Sequence, residues 1–361
     1  MNDVERLTRE LCAVPSHEDE TAAGDLIERW LREETESEVE RDAVGNVIAR
    51  RGPGSGPELA LVGHHDVVPP DERQVGGGEY VIEGRDGRLY GRGTADMKGS
   101  VAAAMCAFRD GEPARDLVFA SFVGEETGGE GARHAIENGF TPEYAVVGEG
   151  STNYSGENVT DVVIAHKGRR GGRIVGRGRA EHASRPEAGE NAIYRVCDAI
   201  DLVRSMESAE VSVFGHELSG SVAVTEINGG SAMNVIPERC EATVDERTVP
   251  GEYLPIEEVE RVEAVEWVVE SDLPPMRCSD EGFAEAVLAA ATESQDASPE
   301  LVTKPHATDA GRLARAGTAC VVCGAAEPGE AHTDRESVSI DVLERCYRIY
   351  RAAAESGAIV L

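Results

Sequence analysis

The run Leu59-Ala60-Leu61-Val62-Gly63-His64-His65-Asp66-Val67-Val68-Pro69 limits what this chain can fold into more than any other stretch. A wholly apolar segment stops at a glycine, two imidazoles and a carboxylate, then turns away at consecutive prolines. Uninterrupted apolar runs of this length, bounded by turn residues, form strands buried on both faces. In open α/β sheets, ligands sit beyond the carboxyl ends of such strands. The pattern recurs twice. Leu117 to Val123 ends in Gly124-Glu125-Glu126, and Tyr144 to Val147 ends in Gly148-Glu149-Gly150. Three buried strands that each release imidazole or carboxylate groups at their ends imply an α/β sheet with polar chemistry along one edge.

The flanking sequence fits that class. Apolar residues recur at helical spacing over 3–13 and 20–35 (Leu7, Leu11; Ala23, Leu26, Ile27, Trp30, Leu31), and Val39 and Val47–Ala49 read as strands joined through Gly45-Asn46. Pro69 to Gly87, with Gly76-Gly77-Gly78, reads as a loop, and an alanine-rich helix follows over 100–108. The character changes after Val162. Arg169 to Arg179 is basic and glycine-rich; a helix is expected over 190–205, strands around 211–213, 222–227 and 241–244, and a second helix over 256–269. Two helices among four short antiparallel strands suit a small α+β sandwich. From Asp280 the α/β pattern returns with a helix at 282–293, a strand at 318–323 and a helix at 341–354. At 361 residues two domains are expected: a discontinuous one, 1–162 with 278–361, and an inserted one, 163–277. The first has a central mixed sheet flanked by helices. The second has two helices on a four-stranded antiparallel sheet.

Charge bears on partners. The chain carries 68 Asp and Glu against 35 Lys and Arg, net −33, with lysine only at Lys98, Lys167 and Lys304. The acidity is spread along the whole length, which disfavours nucleic acid as a partner and suits a solvated surface in a salt-saturated cytoplasm. An extreme halophile is the expected source. Its Tm should rise between about 0.1 and 2 M KCl as screening relieves self-repulsion, and a Tm flat over that range contradicts this reading. No charged, apolar-cored leader opens the chain and no 18-residue apolar span occurs, so a cytoplasmic protein that does not meet the membrane is expected. Cys320-Val-Val-Cys323 has ligand spacing but lies inside an apolar run without a second pair, and core packing is the expectation.

Taken singly, the polar groups have ordinary readings. Asp96, in Thr94-Ala95-Asp96-Met97-Lys98-Gly99, stands where a helix cap would. Glu125 and Glu126 could be a solvated edge, and His332 a surface histidine. Together, two histidines, two terminal carboxylates and one bridging carboxylate make a ligand set for two Zn²⁺ about 3.5–4 Å apart.

Five stretches, GHHDVVP (63–69), GRGTADMKG (91–99), GEETGG (124–129), VVGEG (146–150) and AHTDRE (331–336), resemble the co-catalytic di-zinc family of acetylornithine deacetylase, succinyl-diaminopimelate desuccinylase, aminoacylase and the glutamate carboxypeptidases. HASRPEAGENAI (182–193) and NVIP (234–237) resemble the family's lid domain. The resemblance implies a discontinuous zinc-hydrolase domain and an inserted lid and dimerisation domain. It implies His64 and Glu149 as terminal ligands of one Zn²⁺, Glu126 and His332 of the other, and Asp96 as the bridge, with Co²⁺ or Mn²⁺ as possible substitutes. Asp66 would orient His64, leaving His65 a bystander, and Glu125 would be the general base. His182 would cross from a second subunit to stabilise the oxyanion, which implies a homodimer. Arg169, Asn234, Arg247 and Thr308 match positions that hold substrate carboxylates, so a small acidic N-acyl amino acid is the expected substrate. The departures are Ala325 and Gly150, each where the family commonly has proline, and a loop at 70–80 without the usual Trp and Pro-Phe pair. They leave open a dipeptidase or carboxypeptidase of the same site. A non-catalytic metal- or amino-acid-binding protein would have no need of a free Glu125.

Overall fold

The computed structural model describes residues 1–54, 56–77, 79–251 and 253–357. Two compact units divide the chain: Met1–Ala165, Met276–Lys304 and Thr308–Leu361 form the first, His166–Pro275 and Pro305–Ala307 the second.

Among the described residues, nine strands build the main sheet of the first unit. In chain order they are β1 (Glu38–Arg41), β2 (Val47–Arg51), β3 (Glu58–His64), β4 (Asp116–Phe122), β5 (Tyr144–Val147), β6 (Val162–His166), β7 (Met276–Arg277), β8 (Leu301–Lys304) and β9 (Ala319–Val322). Their spatial order is β1-β2-β4-β3-β5-β9-β6-β7, with β8 also paired to β6. The four central strands, β4, β3, β5 and β9, run parallel, and β1, β2 and β6 pair antiparallel, so the sheet is mixed.

Leu59, Ala60, Leu61 and Val62 are all buried, which is why this strand shows no alternation: parallel strands covered on both faces are apolar throughout. Ala60, Val62, Val118, Ala120, Val147 and Val322 share one core cluster with Ala132, Phe140 and Leu313. The alanine-rich helix, Lys98–Asp110, is buried nearly all round, touching β3 and β4 and the helices Asp3–Ala13 and Ile340–Glu355. Within the expected loop from Pro69, a short 3-10 turn (Glu72–Gln74) and two small antiparallel pairings form instead; Gly78 lies outside the described residues. Cys320 and Cys323 are both fully buried. No helix among the described residues is long and apolar enough to cross a membrane.

In the second unit, four antiparallel strands lie in the order Ser221–Gly229, Arg239–Arg247, Arg169–Arg177, Val265–Leu273. The helix Ala192–Ser205 packs Ala192, Val196 and Ala199 into one cluster with Ile174, Ala242, Val244 and Trp267. The expected helix over 256–269 is not there. Ile256, Val259 and Val262 do have helical spacing, but only a 3-10 turn forms (Ile256–Arg261), and Ala264 adopts φ 58°. Beyond it the period changes to two, with Val265 and Trp267 inward and Glu266 outward, which is a strand. The basic, glycine-rich stretch is that strand's neighbour in the sheet interior. A side chain at Gly172 would lie 2.7 Å from the Trp267 ring, so glycine there makes room for the indole. The strand near 211–213 forms its own hairpin with His216–Ser219 outside the four-stranded sheet.

Candidate metal centre

Parallel pairing brings the carboxyl ends of β4, β3, β5 and β9 to one edge, and the polar groups released there converge. His64 is the last residue of β3, with a side chain 2 % exposed. Its Nε2 lies 3.2 Å from Asp96 Oδ1 and 3.3 Å from Glu149 Oε1. On the other side of Asp96, His332 Nε2 lies 3.1 Å from Asp96 Oδ2 and 2.9 Å from Glu126 Oε1. The donor atoms of each trio, His64/Asp96/Glu149 and Asp96/Glu126/His332, all lie within 4.8 Å of one another. Asp96 belongs to both trios, one carboxylate oxygen facing each.

These spacings suit a cation. Ligands at about 2.0–2.2 Å from a tetrahedral Zn²⁺ stand about 3.3–3.6 Å from each other, close to the separations here. The donors are also of the right chemistry, imidazole nitrogen and carboxylate oxygen with no thiol. Without a cation they satisfy one another. Burial opposes a charge on His64, yet Asp66, and then Asp96 and Glu149, outweigh it and hold its pKa well above the usual histidine value. Hydrogen bonds to Asp96 and Glu126 raise His332 to about 10. A cation entering here takes the place of those protons.

Surrounding groups fix the candidate ligands. Asp66 Oδ1 lies 3.2 Å from His64 Nδ1, while Asp66 Oδ2 accepts the Glu126 amide at 3.0 Å. One carboxylate therefore ties a candidate ligand on β3 to a candidate ligand after β4. The turn carrying Glu125 and Glu126 is closed by Gly129 N–H donating to the Gly124 carbonyl at 2.7 Å, with Gly124 at φ 64° and Gly129 at φ 69°, where a side chain would be strained. Lys304 donates to the Gly150 carbonyl at 2.9 Å and stands 3.5 Å from Glu149 Oε2, the oxygen turned away from His64. Gly150, which departs from the family's proline, has a physical reason: a Cβ there would lie 2.7 Å from Ala326.

Glu125 differs from its neighbour. Half-buried, its side chain makes no hydrogen bond or ion pair among the described residues. Burial raises its pKa well above the usual carboxylate range; His64 works against this, and Asp309, Glu149 and Asp96 add to it. A carboxyl in such surroundings holds a proton readily. His65 is fully buried, its Nδ1 2.9 Å from Ser121 Oγ, and burial pushes its pKa down to about 3, so it stays neutral and is engaged elsewhere.

The remaining expected residues fall in separate places. Thr308, in the first unit, accepts the Ala310 amide at 3.2 Å and opens the short helix Ala310–Arg315. His182, Asn234, Arg169 and Arg247 belong to the second unit. His182 is exposed, 2.7 Å from Ser184 Oγ, with Asn234 Nδ2 3.5 Å from its Nε2. Arg169 and Arg247 both donate to Asp245, at 2.8 and 2.7 Å. Sequence reasoning had not singled out Asp245, nor Lys304, Arg92 and Glu336 as parts of a site. For Asp245 a signal existed: it stands two residues before Arg247 on one strand, and so on the same face.

The family model described as "Peptidase family M20/M25/M40" matches residues 60–356. An acetylornithine deacetylase of Myxococcus xanthus is 31% identical over 334 residues, covering 86% of this chain and 83% of that protein. Among solved structures, the aminopeptidase PepT of Bacillus cereus ATCC 10987 superposes with a TM-score of 0.81 at 20% identity, covering 98% of this chain and 97% of its own. The M20 family metallo-carboxypeptidase Sso-CP2 of Sulfolobus solfataricus superposes with a TM-score of 0.78 at 14% identity over the full length of both. At these identities the two structures speak to fold alone.

Proposed function

This chain belongs to peptidase family M20/M25/M40, and from that premise we propose that it deacylates an N-acyl amino acid, releasing a free amine and a carboxylate, with two Zn²⁺. As a member it is a metal-dependent hydrolase. The observation that carries the two-metal reading is Asp96 with one oxygen toward each trio, beside an unengaged Glu125. The choice of an acyl amino acid over a peptide rests on the deacetylase relative and on the resemblance of the motifs.

In this reading His64 and Glu149 hold one cation, Glu126 and His332 the other, and Asp96 both; Co²⁺ or Mn²⁺ would suit the same donors. Bound there, the cations lower the pKa of a water and polarise the acyl oxygen. Glu125 takes one proton from the attacking water and passes it to the departing nitrogen as the C–N bond breaks. The remaining proton of the new carboxylic acid is then lost to the amine or to solvent, which leaves the carboxylate. Asp66 keeps His64 in one orientation throughout. By the resemblance, His182 donates to the developing oxyanion, and Arg169, Asn234, Arg247 and Thr308 hold the substrate's carboxylates. Because Arg169 and Arg247 share Asp245, the three groups carry a net single positive charge, which suits one carboxylate. A homodimer through the second unit completes the proposal, and sedimentation at high salt gives its mass directly.

The test of substrate is a panel: N-acetylornithine, N-succinyl-diaminopimelate and glycine-capped dipeptides, assayed together at high salt with Zn²⁺ or Co²⁺. An acyl amino acid is expected to exceed every dipeptide in kcat/KM by at least about tenfold, or about 1.4 kcal/mol of transition-state binding. Faster cleavage of a dipeptide identifies an exopeptidase instead.

A further inference from the structure

Four residues after His332, the chain buries a carboxylate that none of the roles above employs. Glu336 has a side chain that is 0 % exposed, and Arg92, 4 % exposed, donates to its Oε2 at 2.6 Å. The other oxygen, Oε1, accepts two backbone amides, Ala95 at 3.0 Å and Asp96 itself at 3.1 Å. The Glu336 carbonyl accepts the Gly91 amide at 3.0 Å, and Arg92 also donates to the Pro69 carbonyl at 3.2 Å. Beyond Glu336, Ser337–Ser339 pairs with Arg88–Tyr90.

Three segments meet at this ion pair: the turn after β3 that follows His64, the segment 91–96 that ends in Asp96, and the loop that carries His332. Burying one more carboxylate beside Asp96 is costly unless it is paired and hydrogen-bonded, and here it is both.

The two cation positions depend on it unequally. His64 and Glu149 follow buried central strands and are held by Asp66 and Lys304. His332 follows a loop, takes φ 64° and is 52 % exposed, so strand packing does not hold it. Asp96 keeps a second support, the helix Lys98–Asp110 that begins two residues later.

We propose that Glu336, paired with Arg92, is a positioning residue that locks the His332 loop to the backbone of Asp96 and thereby sets the affinity of the Asp96/Glu126/His332 position for its cation. The proposal rests on the two-metal reading of the site. Partners of this kind, one bond removed from the ligands, change metal affinity by about 10–100-fold when lost.

The test is a chelator-buffered Co²⁺ titration of the full chain at high salt, followed by visible absorption, on wild type, Glu336→Gln and Glu336→Asp. Gln keeps an acceptor for the amides but sets an amide N–H₂ against the Arg92 guanidinium. Asp keeps the charge but falls one methylene short of the amides. In wild type two equivalents should bind; if they do not, the two-metal reading fails irrespective of the variants. In Glu336→Gln the first equivalent should bind within about twofold of wild type and the second about 10–100-fold more weakly, with an altered Co²⁺ spectrum for the second alone. Second-equivalent binding unchanged in both variants, or both equivalents weakened alike, overturns the proposal. If Glu336→Gln does not fold, Glu336→Asp carries the same comparison, with the same two results against it.

Discussion

Glu125→Gln is expected to lower kcat by about 10²–10⁴-fold while leaving the metal content at about two per chain and the Tm unchanged. The adjacent glutamates divide the work. Glu126 faces His332 at 2.9 Å, whereas the Glu125 side chain makes no hydrogen bond or ion pair among the described residues. Replacing a carboxyl by its amide keeps the shape and removes only the ability to take and return a proton. A structural role for Glu125 would show as lost metal or a lowered Tm with turnover reduced in proportion. Unchanged turnover would rule out its role as the base.

Asp96→Asn is expected to reduce the metal content from about two per chain to about one at most, and to lose turnover with it. The carboxylate presents Oδ1 to His64 and Oδ2 to His332 at nearly equal distances, 3.2 and 3.1 Å. An amide has one donor oxygen, and its N–H₂ carries no lone pair for a cation. It also removes the negative charge that would offset two dications in the proposed centre. Elemental analysis of gel-filtered protein, paired with the acyl-substrate assay, reads both effects. Two metals retained at wild-type affinity would mean that Asp96 is not shared between the positions, and the two trios would have to be reconsidered as unrelated ion pairs.

The edge where the polar groups gather was legible from sequence for a simple reason. Buried parallel strands write themselves as unbroken apolar runs, so the residues that end them, His64, Glu125, Glu126 and Glu149, are marked by position alone. Where the code is weaker, the reading erred. The segment from Ile256 begins with helical spacing and changes period at Ala264, and a window spanning both reports the first pattern only. Arg169–Arg177 hides its strand because Gly171, Gly172 and Gly176 erase the alternation, Gly172 being the one that admits Trp267. Glu336 and Arg92 lie 244 residues apart, in the AHTDRE and GRGTADMKG stretches, and nothing in either stretch links it to the other; only the fold shows that a buried ion pair joins them. Asp245 shows the same limit on a smaller scale, since one carboxylate between Arg169 and Arg247 cancels much of the charge that the arginines display in sequence.

Anomalous diffraction at the zinc edge, from crystals of the full chain loaded with Zn²⁺, tests the central claim most directly. Two peaks about 3.5–4 Å apart are predicted, one against His64 and Glu149, the other against Glu126 and His332, with Asp96 reaching both. A single peak, or peaks away from these five side chains, would contradict it.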